Sequence, residues 1–340
     1  MPSAEFSEIK TVLLVADVTA EDGGATPAAE RRDLEKSSMK TVTAIMEAIG
    51  QLGLPVVHLQ TLEELAVRAA LHDAGDLVLS IYGGERSRNR MALVPAMCEG
   101  LSLRFVGPDA FGRLYCQDKE LSKRLALQSG VLTPRYQLVR RTVDLDRLAP
   151  DSFPVVVKPN LEGSSIGISR RSLARDAQQM REVAAELLDR FQQPVLVEEF
   201  IPGREVSYNM IEIEGGAVGR LAEIRLGADP HYFDDRLFCA EEKAAWAEVE
   251  VIPLDDSCIA PDLEALQRLA TSLGHFGYCR VDGKLQDGRF HFIELTPDAW
   301  LDPRGAFALA FTKAGWSYPE VLSKLLASER AGHRHRLSSG

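Results

Sequence analysis

The residues whose types and spacing are best suited to binding or catalysis lie between Pro154 and Ser169, in the stretch PVVVKPNLEGSSIGIS. The β-branched run 155–157 predicts a buried strand, which delivers Lys158 to the strand end. The residues 160–167 that follow are mostly small and polar, so their backbone N–H groups can fold around an anion. A lysine at the strand end adds a positive charge for the same phosphate oxygens. Because no Gly-Lys-Ser/Thr follows, this is not a Walker A loop. A plain hairpin loop is the alternative interpretation.

A second concentration of reactive side chains lies in residues 278–300, YCRVDGKLQDGRFHFIELTPDAW. Asp287-Gly288 between two alternating apolar runs predicts a β-hairpin. Asp282 and Glu294 lie at nearly equal distances from that turn, so they can face each other across the strands. Two such carboxylates predict a cation between them, and Mg²⁺ shared with substrate phosphates is the usual hard cation. Arg280 shares the face of Asp282 and can clamp a phosphate or an oxyanion. The alternative is an arginine–carboxylate pair that only holds the hairpin together.

The composition limits the functions open to the chain. Its 340 residues allow two or three domains, and 39 basic against 50 acidic residues give a net charge of −11. Such an acidic protein is not expected to bind nucleic acid. Five cysteines without metal-ligand spacing are typical of free thiols in a reducing compartment. No apolar run approaches membrane-span length and no signal sequence opens the chain, so no membrane partner and a cytoplasmic location are expected.

The elements that must position these side chains begin with a parallel sheet. A helix starting at Met39, with Gly53 just past its end, alternates with apolar strand patterns. Strands are predicted at 11–16, 56–59, 77–81 and 104–106. This alternation predicts a Rossmann-like parallel sheet, and the absence of G-x-G-x-x-G gives no support for a dinucleotide. The turn Gly83-Gly84-Glu85 after a strand is a candidate ligand loop or a plain tight turn.

The remaining pattern predicts helices and antiparallel strands. One helix spanning Leu114 to Leu125 ends at Gly130, and Ser172 is predicted to cap a later helix. The strand 195–199 ends in Glu198 and Glu199, whose side chains point to opposite faces. One of these carboxylates can therefore reach a ligand while the other meets solvent.

Taken together, the order of these motifs resembles the ATP-grasp superfamily, and within it the D-alanine–D-alanine ligase type. The resemblance runs from about residue 105 to 325, whereas the first hundred residues fit the family only in outline. The motifs that carry it are Gln117-Asp118-Lys119, Leu132 to Tyr136, Val155 to Pro159, Glu162 to Gly167, Val197 to Ile201, Gly203-Arg204-Glu205, Arg280-Val281-Asp282 and Glu294. The implied fold is α/β (α+β overall), with an N-terminal Rossmann-like domain, a small central α+β lid domain and a C-terminal antiparallel-sheet domain.

The resemblance also implies roles for individual residues. ATP would be held by Lys119, Lys158, the mobile loop of Glu162, Gly163, Ser164, Ser165 and Gly167, and by Glu198, Glu199, Ile201 and Glu205. Catalytic roles would fall to Arg280, Lys158 and Ser165. Asp282, Glu294 and Thr296 would bind Mg²⁺. The family's reaction transfers the γ-phosphoryl group of ATP to a carboxylate, after which an amine attacks the acylphosphate.

The sequence departs from the family where the second substrate would bind. Thr296 stands where the family has a metal-binding asparagine, with Asp298 a possible replacement ligand. The family's Ser-Pro-Gly-Met segment is replaced by residues 297–304, and its His-Gly-x-x-Gly-Glu pattern shortens to Tyr82-Gly83-Gly84-Glu85. A lysine and a tyrosine expected near residues 227–238 are missing. The candidate substrate residues are therefore Glu85, Arg236, Trp300 and Arg304, with an ordinary surface loop as the alternative for residues 300–304.

These patterns predict an ATP-dependent carboxylate–amine ligase that acts on a small amino-acid-like substrate other than D-alanyl-D-alanine. The alternatives are intramolecular cyclisation, capture of the acylphosphate by a hydroxyl or thiol, phosphorylation without ligation, and a non-catalytic nucleotide-binding protein. A homodimer is expected from the family. The predicted domains are 1–113, 114–200 and 201–330, followed by a flexible tail at 331–340.

Overall fold

The computed structural model describes residues 6–19, 35–71, 75–84, 87–244, 249–297 and 299–337. The side chains of residues 243–244 and 331–337 are outside this description. None of the described helices is both long and apolar enough to cross a membrane.

The first of three sheets is parallel, as the alternating pattern predicted. Its strands are β1 (Thr11–Val15), β2 (Val56–Leu59), β3 (Asp76–Ser80) and β4 (Arg104–Phe105), in the order β2-β1-β3-β4. The helices of this part are α1 (Met39–Gln51), α2 (Leu62–Ala70) and α3 (Leu93–Gly100). The Ser38 side chain caps α1, and Gly53 adopts a φ of +78° just beyond it, which confirms the predicted helix end.

The second sheet is antiparallel and small. Its strands are β5 (Tyr136–Val139), β6 (Val155–Pro159), β7 (Leu173–Ala174) and β8 (Val195–Glu199), in the order β5-β8-β6-β7. Helix α6 (Ala177–Phe191) packs Met180 and Ala184 against Val155 and Val157. Asp176 caps this helix, so the predicted cap at Ser172 is wrong because β7 intervenes.

The third sheet is antiparallel with five strands. They are β9 (Arg204–Ile213), β10 (Gly216–Leu226), β11 (Val249–Leu254), β12 (Tyr278–Gln286) and β13 (Arg289–Thr296), in the order β11-β10-β9-β12-β13. The hairpin between β12 and β13 is confirmed, with Asp287 and Gly288 both at positive φ. Asp282 lies directly opposite Glu294, next to a bulge at Gly283. The hairpin and this bulge, which leaves Ile293 of β13 without a partner on β12, together set the two carboxylates side by side.

Two helices that precede the second sheet pack on the third. They are α4 (Ala110–Gln117) and α5 (Lys119–Ser129), separated at Asp118, whose side chain caps α5. The single helix predicted here is thus two, although Gly130 ends the second as predicted. Cys116 and Ala126 share a core with Leu266 and Phe292 of the third sheet and its covering helix. Part of the range 114–200 therefore packs with the C-terminal sheet.

The remaining helices complete the C-terminal half. They are α7 (Ala240–Ala244), α8 (Leu263–Thr271), α9 (Ala306–Thr312) and α10 (Tyr318–Leu337). Short 3-10 helices occur at Arg90–Ala92, Thr142–Arg147, Arg170–Ser172, Tyr232–Asp234 and Asp256–Asp262. Helix α10 packs Leu322 and Leu325 into the same core as Val12 and Leu14 of β1. It continues to Leu337, into the range predicted to be a flexible tail.

Candidate active site

A cavity of about 840 Å³ lies where the three sheets meet. Strand alternation explains which residues reach it, since Val156 and Lys158 of β6 line the cavity while Val155 and Val157 pack on α6. The predicted site residues that line it are Lys119, Lys158, Glu162, Gly163, Ser164, Ser165, Glu198, Glu199, Ile201, Glu205, Arg280, Asp282, Glu294, Thr296, Trp300 and Arg304. Residues far apart in the chain are thus gathered around one space.

Four buried charged side chains at and behind the cavity wall form a group that we call the lysine cluster, made of Lys119, Lys123, Lys158 and Glu198. Glu198 Oε1 lies 2.5 Å from Lys158 Nζ, and its Oε2 lies 2.8 Å from Lys123 Nζ. Burial alone would raise the pKa of Glu198, but the two ammonium groups hold it below its usual value. The carboxylate therefore stays charged, and Lys158 is held at the cavity wall. The sequence pattern gave no reason to single out Lys123.

The glycine loop connects β6 to β7 and is shaped by unusual backbone angles. Ser164 and Ser165 both have positive φ, and Ile166 N–H donates to Gly163 O over 2.9 Å. Ser165 Oγ lies 3.2 Å from the carbonyl oxygen of Phe238, which ties the loop to the C-terminal part. Gly167 does not line the cavity. Its φ of +75° and a Cβ position that would overlap Pro159 explain the glycine as a backbone requirement.

The loop is also held by side chains from the N-terminal part, which the sequence did not predict. Glu35 accepts from Gly163 N–H over 2.8 Å and from Arg90 Nε over 2.8 Å. Arg90 donates in turn to Leu161 O and pairs with Glu162 at 3.2 Å. Burial raises the pKa of Glu35, although Arg90 opposes this. Since Glu35 and Gly163 are 128 residues apart, no local pattern could reveal their contact.

The paired carboxylates offer the oxygen ligands that Mg²⁺ requires. Glu294 Oε2 lies 3.1 Å from Lys119 Nζ, and Lys119 also donates to the carbonyl oxygen of Glu162. Arg280 binds both oxygens of Asp282, at 2.7 and 2.8 Å. The sequence left open an alternative in which Arg280 and a carboxylate only hold the hairpin together. The observed pair of Arg280 and Asp282 is compatible with that alternative. Because each carboxylate oxygen has more than one lone pair, Asp282 and Glu294 fit a magnesium ion without losing these contacts.

Another buried lysine lies beside the residues expected to bind the nucleoside. Lys284 Nζ is 3.0 Å from Glu205 Oε1 and donates to the carbonyl oxygens of Gly203 and Phe233. It lines the cavity together with Glu205 and Ile201. The alternation that places Arg280 and Asp282 on the cavity face of β12 also places Lys284 there, so this residue could have been inferred from the hairpin.

A different part of the wall comes from residues 299–305, which we call the Arg304 loop. Arg304 donates to Asp302 through Nε, over 3.0 Å, and through its backbone N–H, over 2.8 Å. Asp302 is buried and accepts from Thr41 Oγ1 of α1 over 2.7 Å. Burial would raise the pKa of Asp302, but the hydrogen bonds from Arg304 and Thr41 keep it below its usual value. Trp300 lies on the same loop and lines the cavity.

Among the described residues, one candidate substrate residue does not contribute to this wall. Arg236 is not among the cavity residues, because it is half exposed, pairs with Asp235 and stacks over the ring of Tyr232. Its predicted substrate role has no support in the structure. Glu85 and Asp298 lie outside the described residues.

Comparisons with known proteins agree with this geometry. The family described as "D-ala D-ala ligase C-terminus" matches residues 131–327. The D-alanine–D-alanine ligase of Thermotoga maritima is 26% identical over 294 residues, covering 86% of this chain and 92% of the relative. The uncharacterized protein y4sG of Sinorhizobium fredii is 29% identical over 290 residues, covering 83% and 82%.

Solved structures share the fold at low sequence identity. The D-alanine–D-alanine ligase of Bacillus anthracis complexed with ATP has a TM-score of 0.70 at 18% identity, covering 97% of this chain and all of that one. The D-alanyl-alanine synthetase A of Vibrio cholerae has a TM-score of 0.72 at 15% identity, covering 95% and 98%.

The three sheets around this cavity form the ATP-grasp fold, as the sequence predicted. More narrowly, the chain belongs to the D-alanine–D-alanine ligase C-terminal family. It is an ATP-dependent carboxylate–amine ligase of that type, an enzyme that forms C–N bonds with ATP and Mg²⁺ and acts on small molecules.

Proposed function

We propose that this ligase joins a small amino-acid-like carboxylate to an amine other than D-alanine, through an acylphosphate. The Arg304 loop carries the proposal, because it brings a large indole and a fixed guanidinium to the cavity wall. A guanidinium that Asp302 holds from behind can still bind a carboxylate with its remaining N–H groups. A substrate with an extended side chain, or with a second negatively charged group besides an α-carboxylate, would fit this wall better than D-alanine would.

Two lysines of the lysine cluster and the glycine loop would hold the nucleotide. Lys119 and Lys158 would contact the phosphates, and the N–H groups around Ser164 and Ser165 would close over them. Glu198, Glu199, Ile201 and Glu205 would surround the nucleoside, with Lys284 fixing the Glu205 carboxylate. The geometry supports this assignment because each of these residues lines the same cavity.

Asp282 and Glu294, with Thr296 beside them on β13, would hold the metal. Bound Mg²⁺ neutralises phosphate charge and so supports transfer of the γ-phosphoryl group. A threonine hydroxyl is a weaker ligand than an amide oxygen, so we expect the second metal position to be the weaker one. Lys119 contacts both Glu294 and the glycine loop and would align the phosphates with the carboxylates.

The reaction would then proceed in two balanced steps. An oxygen of the substrate carboxylate attacks the γ-phosphorus, the bond to ADP breaks, and an acylphosphate forms. The amine attacks the acyl carbon, loses a proton, and inorganic phosphate leaves as the amide forms. Arg280, which Asp282 orients through two hydrogen bonds, would stabilise the oxyanion of the tetrahedral intermediate. Closure of the glycine loop would keep water from the acylphosphate.

The test is ATP-dependent phosphate release over a panel of amino acids and small carboxylates, alone and in pairs, with mass spectrometry of the products. We expect ADP, phosphate and one condensed product from a pair that includes a partner other than D-alanine. D-alanine turnover equal to that of an authentic D-alanine–D-alanine ligase would refute the altered acceptor. A single substrate that loses water would indicate cyclisation, and an ester or thioester product would indicate capture by a hydroxyl or thiol.

We also propose that the ligase is a homodimer, by resemblance to its family. Light scattering at micromolar concentration should give twice the mass of the 37.4 kDa chain. A monomeric mass would contradict this assignment and leave the proposed reaction unaffected.

A further inference from the structure

Lys123 is a buried charge that the proposed reaction does not use. It lies on α5, one helical turn after Lys119, and its side chain is 0% exposed. Its ammonium contacts Glu198 Oε2 at 2.8 Å, Thr133 Oγ1 at 3.0 Å and the Phe292 carbonyl oxygen at 3.5 Å. A buried lysine is costly unless its charge is needed and partnered, so its presence calls for a physical reason.

The arrangement around Glu198 suggests that reason. Lys158 and Lys123 bind the two oxygens of a single carboxylate, at 2.5 and 2.8 Å. The two ammonium groups and the one carboxylate together carry a net charge of +1. Lys158 lines the cavity and Lys123 does not, so the carboxylate is shared between a lysine at the wall and a lysine behind it.

We propose that Lys123 is a positioning residue that draws the Glu198 carboxylate back, so that the charge of Lys158 stays available to the ATP phosphates. Without Lys123, Glu198 would pair with Lys158 alone and neutralise it. At the short distances of a buried site, the loss of one net charge strongly weakens the attraction for an anion. Lys123 would therefore act on the phosphates without touching them. The proposal depends on ATP binding alone and is independent of the identity of the substrates.

The simpler role for Lys123 is to fasten α5 to the second sheet. The two roles differ in which part of the nucleotide they affect. A charge effect weakens ATP more than adenosine, because adenosine has no phosphates. A structural distortion lowers the affinity for both compounds. The informative quantity is thus the ratio of the Kd of adenosine to the Kd of ATP.

The experiment is calorimetric titration of the full chain with adenosine and with ATP and Mg²⁺, in the wild type and in Lys123→Met. We expect the variant to lower the Kd ratio by about tenfold or more, with adenosine affinity nearly unchanged. Equal losses for adenosine and ATP, or an unchanged ratio, would overturn the proposal. Methionine is used because it approximates the length of lysine without its charge.

A double variant keeps the test decisive if Lys123→Met folds poorly. Lys123→Met with Glu198→Gln removes a charge of each sign and leaves Lys158 as the net positive charge. We expect its Kd ratio to return to within about threefold of the wild type, since the charge count is restored. Any contact that Glu198 makes with adenine affects both ligands and cancels in the ratio. A double variant whose ratio is as low as that of the single variant would contradict the charge argument.

The pH dependence of the wild-type protein provides a readout without any substitution. Burial lowers the pKa of Lys123 to about 8, despite the opposing charge of Glu198. The groups that face Lys123 are the charged Glu198, Lys158 and Lys119, with Thr133, Tyr136 and the Phe292 carbonyl oxygen close by. As pH rises above 8, Lys123 loses its proton, so the Kd ratio should fall. The Lys123→Arg variant, which stays charged, should show a flatter profile, and an identical profile would contradict the proposal.

Discussion

Lys158 and Glu198 of the lysine cluster line the same cavity as the Arg304 loop, but the two regions hold their charges in opposite ways. The side chains of Lys158 and Glu198 are 3% and 2% exposed and are fixed by each other. The side chain of Arg304 is 69% exposed, and only its inner edge is held, by the buried Asp302. Buried ion pairs on strands are suited to a ligand that is the same for every member of a ligase family. A partly exposed arginine on a loop can be replaced without disturbing the sheets, which suits the variable substrate of a ligase family.

The largest effect expected from this comparison concerns Lys158. We expect Lys158→Met to lower kcat/KM for ATP by at least about 10³-fold, because it removes the ammonium at the cavity wall and leaves Glu198 with one partner. Phosphate release measured against ATP concentration provides the test. A loss below tenfold would show that the lysine cluster is structural and not functional.

The next effect concerns the paired carboxylates. Asp282→Asn should lower the rate of phosphate release by about 100-fold at low Mg²⁺. The substitution weakens a metal ligand and the hydrogen bonds that hold Arg280 in place. Raising the Mg²⁺ concentration should recover part of the loss. Asp287→Asn, at the exposed turn of the same hairpin, is the matched control and should behave as the wild type. If activity does not depend on Mg²⁺ concentration in Asp282→Asn, the metal assignment is wrong.

A moderate effect is expected in the Arg304 loop. Once the substrates are known, Arg304→Ala should raise the KM of one of them by about tenfold, since a charged hydrogen bond to its carboxylate is lost. The KM for ATP should not change. Arg236→Ala, outside the cavity wall, should leave both values as they are. An increase in the KM for ATP in Arg304→Ala would show that the Arg304 loop also affects ATP binding. The lysine cluster and the Arg304 loop would then not serve separate ligands.

The smallest effect concerns the support of the Arg304 loop. Thr41→Val removes the hydrogen bond to Asp302 and should lower the free energy of unfolding by about 1–2 kcal/mol at pH 7. The folded-state pKa of Asp302 is depressed, so its stabilising contribution is present above the unfolded pKa and is lost as pH falls through the folded pKa. The effect of Thr41→Val should therefore shrink in strong acid.

Urea denaturation at several pH values measures this effect. Thr43→Val, at an exposed position of the same helix, is the control and should cost much less. A penalty that does not vary with pH would mean that Thr41 stabilises the fold without involving the Asp302 carboxylate.

The sequence predicted those parts of the site that follow from local geometry. The Asp287-Gly288 turn predicted that Asp282 and Glu294 would face each other across the hairpin, as they do. A regular hairpin from that turn would pair Asp282 with Ile293, so the exact pairing depends on a bulge that the sequence did not predict. Lys158 followed from its place at the end of a β-branched strand. The motif order then predicted the fold class, which the family match confirms.

Contacts between distant parts of the chain could not be predicted in this way. Glu35 lies within a polar segment and Arg90 begins a short 3-10 helix, and neither pattern indicates that they hold the glycine loop. Lys123 looked like one more polar residue on a helix whose leucines defined its face. Gly167 was assigned to ATP because of its motif, whereas its positive φ and the crowding by Pro159 explain it through the backbone alone.

The packing of α10 on the first sheet has a consequence for the order of events during synthesis. Val12 and Leu14 of β1 share a core with Leu322 and Leu325 of α10, which are translated much later. At about 5–20 residues per second, this core stays incomplete on the ribosome for a large part of a minute. The core that begins with β1 and α1 is thus completed only when α10 has been made.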